Sequence, residues 1–316
     1  EIYTLSLHDA LPISTDAYLE TCAAVGAGFF SQRMNQLTCN ARYMDEVERV
    51  LYNNVLTGVS LSGDKYTYQN PLNTDKPDRW EWHVCPCCPP MFLKIMAAMP
   101  GYIYAYQGDN VYVNLFIGSE VRVPVGKSNS VRLKQLTSYP WHGAVSIQVN
   151  PDKASTFSMK VRIPGWAQGT ENPYDLYQSN LKAPVKLKVN QEDVLLRIVD
   201  GYAEINREWK KGDHIELELP MQPRLITANK AVENLRGQVA LASGPIIYCF
   251  EDADNPELQT FKLQAQTPLE LSHDSNLLNG VNIIKCQGDI PAKAIPYYAV
   301  ANREESHSYK VWIPQK

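Results

Sequence analysis

No apolar run in the sequence approaches the roughly 20 residues that a membrane-spanning helix needs, so no membrane partner is expected. An excess of basic charge is lacking too. Lys and Arg number 30 against 34 Asp and Glu, a net charge of -4, which leaves no electrostatic footprint for nucleic acid. There is no even set of cysteines: the seven, Cys22, Cys39, Cys85, Cys87, Cys88, Cys249 and Cys286, do not read as a disulfide framework. Internal repeats and low-complexity tracts are absent. Residues 1–14, EIYTLSLHDALPIS, have no initiator Met, no basic stretch and no unbroken apolar core, so they are not a signal peptide. They resemble a translated sequencing adapter and are read as non-native, with the native chain expected to extend upstream of Thr15. The compartment therefore stays open between the bacterial cytoplasm and the periplasm.

What is present fits a globular protein of two or three domains: 316 residues, 44% hydrophobic and 20% charged. The spacing predicts a helix over 16–38, with Asp16 as N-cap and Leu19, Cys22, Ala23, Phe30 and Met34 on one side. A second helix is expected over Tyr43 to Leu56, carrying Met44, Val47, Val50 and Leu51. Ser62-Gly63-Asp64 reads as the turn of a short hairpin between Val59-Ser60-Leu61 and Tyr66-Thr67-Tyr68. Pro89-Pro90 opens a third helix, which Pro100-Gly101 ends.

Beyond Tyr102 the hydrophobic period changes to two. Val111, Val113, Leu115 and Ile117 alternate, as do Val145, Ile147 and Val149, and later Ile215, Leu217 and Leu219. Short strands separated by turn residues point to a β-sandwich over 103–221. Pro220 to Pro223 reads as a linker, and a second β domain is expected over 222–316. The fold class is thus α+β multidomain. The helical piece, 15–102, is too thin to bury a core of its own, which marks it as part of a larger domain.

Two local groups could carry chemistry. Glu20-Thr21-Cys22 lies near the start of the first helix, and Cys87-Cys88 lies at the entrance to the third. One carboxylate and three thiolates would suit tetrahedral zinc. Residues i and i+2 do not share a helix face, so Glu20 and Cys22 can converge only at an irregularity or at the helix end. Cys39, Cys249 and Cys286 read as packing. Cys85-Pro86-Cys87 is not a CxxC, which argues against a thioredoxin-like protein.

The segments AYLETCAAVGAGFFSQRM, ERVLYNNVLTGVSLSGDKYTYQNPL and CPCCPPMFLKIMAAMPGYIYAY, followed by RIPGWA (Arg162 to Ala167) and SGPIIYCFED (Ser243 to Asp252), resemble the glycoside hydrolase family 127 β-L-arabinofuranosidases. Family 146 is a close relative. The resemblance implies the C-terminal part of an (α/α)6 barrel followed by two β-sandwich domains. It implies Zn2+ held by Glu20, Cys22, Cys87 and Cys88, with Cys87 as a retaining nucleophile acting on plant-derived arabinose-containing glycans. It further places Glu48 and Tyr68 at the sugar, with Tyr66 as an alternative register, and leaves His83 as a neighbour of the zinc ligands or a plain loop residue. The family's acid/base Glu stands about sixteen residues before the zinc Glu, and here that position is Thr4, so the chain itself is expected to be inactive. The competing expectation is a zinc-stapled structural or carbohydrate-binding module without chemistry. A small oligosaccharide or glycan is the expected partner, and a homodimer through the β domains is left open.

Overall fold

A computed structural model describes residues 19–82, 84–85, 87–172, 175–287 and 290–316. The adapter-like stretch, Asp16 and His83 lie outside the described residues. The molecule is mostly β, with a small helical layer at its N-terminal end.

Helix α1 spans Thr21–Thr38, α2 Arg42–Arg49 and α3 Cys88–Ala98. Helix α1 starts five residues later than its periodicity predicts, because Glu20 is extended (φ -77°, ψ 135°) and bridges Gln69. Its buried face also differs from the expected one. Ala24, Val25, Gly28, Ser31 and Asn35 face inward, while Phe30 is exposed. Small residues are needed there because the helices approach closely. A Cβ on Gly28 would stand 3.1 Å from Ile95 Cδ1 and 3.7 Å from Val50 Cγ1. Helix α2 does not run on to Leu56 in α form. It widens into a π turn over Val50–Val55 and tightens into a 3-10 turn over Leu56–Gly58. All six residues of the π turn are buried, which a single amphipathic face could not achieve. The hairpin forms as expected, with Val59 bridging Tyr66.

Period-two alternation builds the next region, as in Asn129–Thr137, where Val131, Leu133 and Gln135 point inward. Six antiparallel strands run in the order Glu192–Asp193, Lys186–Val189, Asp213–Glu218, Ala144–Pro151, Asn129–Thr137, Ser119–Val125. Five more run Ile198–Val199, Tyr202–Trp209, Ser155–Arg162, Asn110–Val113, Tyr104–Gln107, with one parallel pair between Asn110–Val113 and Ser155–Arg162. The two sheets share one apolar core, to which Ile147, Ile215, Met159 and Trp209 all belong.

Among the described residues the strands of the last region are joined by hydrogen bonds into one ten-stranded set, which also takes in Tyr177–Ser179 and Asn73–Thr74 from earlier in the chain. The helical layer is fastened to it by buried polar contacts. Asn53 donates to the Pro245 carbonyl (2.9 Å) and accepts from the Ile247 amide (2.8 Å). Arg79 donates to the carbonyls of Thr57, Val300 and Ala301. Within the layer, Phe30 and Leu37 of α1 and Leu93 and Met96 of α3 are exposed. Among the described residues no helix is long and apolar enough to cross a membrane.

Candidate metal centre

Glu20 is held by strand-like pairing rather than by a helix. The Thr21 amide donates to the Tyr68 carbonyl (2.9 Å), and the Asn70 amide donates to the Leu19 carbonyl (2.8 Å). Thr21, fully buried, donates through Oγ1 to the Thr67 carbonyl (2.7 Å) and accepts from Asn70 Nδ2 (2.8 Å). The backbone then turns directly into α1, so Glu20 stands outside the helix and Cys22 in its first turn. This satisfies the condition that i and i+2 cannot meet on a regular helix. Cys87 is the N-cap residue of α3 and Cys88 its first residue, with proline following at the opening turn. Two helix N-termini therefore converge, and each favours negative charge.

The ligand atoms of Glu20, Cys22, Cys87 and Cys88 all lie within 4.8 Å of one another. Cys87 Sγ is 3.6 Å from Glu20 Oε1 and 3.7 Å from Cys88 Sγ, and the Cys22 thiol donates to Glu20. Tetrahedral zinc with bonds of about 2.3 Å to sulfur sets its sulfurs about 3.8 Å apart, which the Cys87–Cys88 pair matches. Burial pushes the Cys22 thiol far up, and its hydrogen bond to Glu20 adds to this. Burial and the contacts with Cys85 and Cys88 push Cys87 up to about 12, and burial raises Cys88 as well. Without a metal these groups stay protonated. A thiolate-rich set of this kind can hold a metal ion and is compatible with zinc.

Tyr68 is half-buried and stacks on Trp80, with ring centroids 5.0 Å apart and planes at 11°. Both border a cavity of about 380 Å3 between this loop and the last sheet, lined also by Gln69 and Tyr309. Tyr66, the alternative register, is fully buried against Trp80 and Trp82.

Glu48 is not brought to the cluster. Expected at the sugar, it is the anion of a buried network, outside the four-ligand group. Arg162 donates to both of its oxygens, Tyr139 Oη to Oε1 (2.8 Å) and Trp166 Nε1 to Oε2 (3.3 Å). Arg162 also donates to Asp45 (2.7 Å) and to the Asn114 carbonyl (2.5 Å). The reason is the position of Glu48 on the inner side of α2, where only a paired charge can be buried. The sequence reading missed the role of Arg162 and Trp166. Their shared motif, RIPGWA, was the available signal.

Comparison with known proteins agrees with this geometry. Three family models match in order: "Beta-L-arabinofuranosidase, GH127 catalytic domain" over 6–101, the GH127 middle domain over 110–221 and the glycoside hydrolase family 127 C-terminal domain over 223–314. The chain belongs to glycoside hydrolase family 127. The catalytic-domain match begins inside the stretch 1–14. A family 127 relative, the non-reducing end β-L-arabinofuranosidase of Bifidobacterium longum subsp. longum, is 30% identical over 91% of this chain and 48% of its own length. Among solved structures, a family 127 β-arabinofuranosidase matches with a TM-score of 0.89 and 35% identity over 97% of this chain and 51% of that one. A family 127 β-L-arabinofuranosidase from Geobacillus stearothermophilus T6 matches with a TM-score of 0.87 and 34% identity, over 97% and 51%. The chain spans about half the length of the family 127 relatives it matches.

Proposed function

We propose that the whole protein is a retaining β-L-arabinofuranosidase acting on plant-derived arabinose-containing glycans, with Glu20, Cys22, Cys87 and Cys88 holding zinc and Cys87 as nucleophile. The observation that carries this is the convergence of three thiols and one carboxylate from two helix N-termini, in the segment that matches the family's catalytic domain. Bound zinc would keep the thiols ionised at neutral pH.

Cys87, the first of the doublet, is taken as the attacking sulfur. Cys87 and Cys22 are half-buried, whereas Cys88 is closed off. A structural site is closed on all sides, so this favours chemistry over a zinc staple. Attack on the anomeric carbon gives a glycosyl-cysteine with inversion, and water releases the sugar with a second inversion, hence net retention. Tyr68, at the rim of the cavity beside Glu20's partner Gln69, flanks the sugar. Glu48, with its oxygens engaged by Arg162, Tyr139 and Trp166, anchors the layer.

Exposed Phe30, Leu37, Leu93 and Met96 suit a layer that packs against further helices of an (α/α)6 barrel. The acid/base carboxylate and the opposite wall of the sugar site belong to that further part. The chain on its own is therefore inactive, since loss of a general acid alone costs about 10²–10⁴-fold.

The test is the full-length gene product, expressed with zinc and reductant and offered an aryl β-L-arabinofuranoside beside a panel of other glycosides. Arabinose release, abolished in Cys87→Ser, is expected. A zinc-loaded, folded protein that cleaves no furanoside leaves the structural-zinc reading in its place.

A further inference from the structure

Cys85 belongs to the motif that distinguishes this site, yet it stands outside the four-ligand group. It is also part of none of the apolar cores. Its sulfur lies 3.3 Å from Cys87 Sγ, nearer to it than Glu20 Oε1 at 3.6 Å or Cys88 Sγ at 3.7 Å. Both Cys85 and Cys87 are half-buried, and so within reach of a small oxidant. Residues i and i+2 have Cα atoms at most about 7 Å apart. Disulfides span Cα separations of about 4.4–6.8 Å, a range open to an i, i+2 pair, and these two sulfurs already face each other at 3.3 Å.

We propose that Cys85 is a resolving thiol, and that Cys85 and Cys87 form a reversible disulfide when the protein meets a peroxide. The Cys87 thiolate attacks one peroxide oxygen: the S–O bond forms, the O–O bond breaks, and the departing hydroxide takes up the proton that Cys87 released on ionising and leaves as water. The Cys85 thiol then attacks the Cys87 sulfur: the S–S bond forms, the S–O bond breaks, and the second oxygen leaves as water with the Cys85 proton. Two thiols lose two electrons, and the peroxide gains them. The disulfide removes Cys87 from both of its tasks, nucleophile and ligand. That consequence and the ionised state of Cys87 rest on the zinc reading; the closeness of the two sulfurs does not. A resolved disulfide is recoverable by thiol reductants, whereas an unresolved sulfenic acid proceeds to sulfinic acid and is lost.

The experiment uses this chain, reduced, zinc-loaded and then treated with hydrogen peroxide before digestion by trypsin without reductant. Cys85, Cys87 and Cys88 all fall on one peptide, residues 80–94. The expected product is that peptide lighter by two hydrogens, with fragmentation placing the bond between Cys85 and Cys87, and full reversal by dithiothreitol. Cys88→Ser should keep the bond. Cys85→Ser should abolish it and leave Cys87 with oxygens that dithiothreitol does not remove. A bond mapped to Cys88 or Cys22, reversible oxidation that persists in Cys85→Ser, or an unchanged peptide overturns the proposal. The wild-type map decides the matter even where a variant fails to fold. Zinc release is read separately with a colorimetric chelator. A disulfide that forms in a chain that never bound zinc supports the switch and removes the zinc reading.

Discussion

Arg162 and Glu48 meet behind the helical layer with their charged ends shut away from solvent: their side chains are 0% and 2% exposed. Removing one partner leaves the other charge buried and uncompensated. Arg162→Met should destabilise the chain by about 3–5 kcal/mol in urea unfolding. Arg122→Met, which breaks an exposed pair with Asp152, should cost no more than about 1 kcal/mol. Equal effects would remove the anchoring role given to Glu48.

Gly58 sits against Thr21, the residue that follows Glu20. A Cβ there would lie 2.7 Å from Thr21 Cγ2. Gly58→Ala should therefore push Thr21 out of its hydrogen bonds, cost about 1–3 kcal/mol and weaken metal binding. Gly26→Ala, with nothing within 4 Å of the new Cβ, should be neutral or stabilising by up to about 1 kcal/mol. Thermal melts and zinc titration of the two variants check this.

Metal content follows from the donor set. The chain should bind one zinc per molecule, and chelation should lower its melting temperature. Cys88→Ala should abolish stoichiometric binding. Cys39→Ala should leave it intact, because Cys39 packs beside Tyr112 and Tyr202.

Acid stability follows from Glu171. Burial alone would raise its pKa, but the guanidinium of Arg224, donating to both oxygens (2.6 and 2.9 Å), holds it below the ordinary carboxylate value. A depressed folded pKa stabilises the fold above the unfolded value, near 4.3, and that contribution is lost as pH falls through the folded value. Glu171→Gln should lower stability at neutral pH and flatten the acid limb of a denaturation series. An unchanged acid limb would contradict the assignment.

How much of this was legible in the sequence depended on which interactions are local. The strand alternation and the hairpin at Ser62-Gly63-Asp64 were readable because their period and turn chemistry are local. So was the convergence of Glu20, Cys22, Cys87 and Cys88, because irregular backbone at the helix starts was the stated condition. The inner face of α1 was not, since close helix contact there selects Gly and Ser over larger residues. The place of Glu48 was hidden as well. Its partner is 114 residues away, and sequence alone gives a helical Glu no reason to be buried. The joined strand set of the last region draws Asn73–Thr74 and Tyr177–Ser179 from other parts of the chain, which no local pattern announces.

The nucleophile is the centre of the account, and a covalent adduct tests it most directly. The full-length protein would be incubated with a β-L-arabinofuranosyl mechanism-based inactivator, quenched in acid and digested with trypsin. The account predicts one pentose added to the peptide spanning residues 80–94, with fragmentation placing it on Cys87. A pentose found on a carboxylate elsewhere would contradict it.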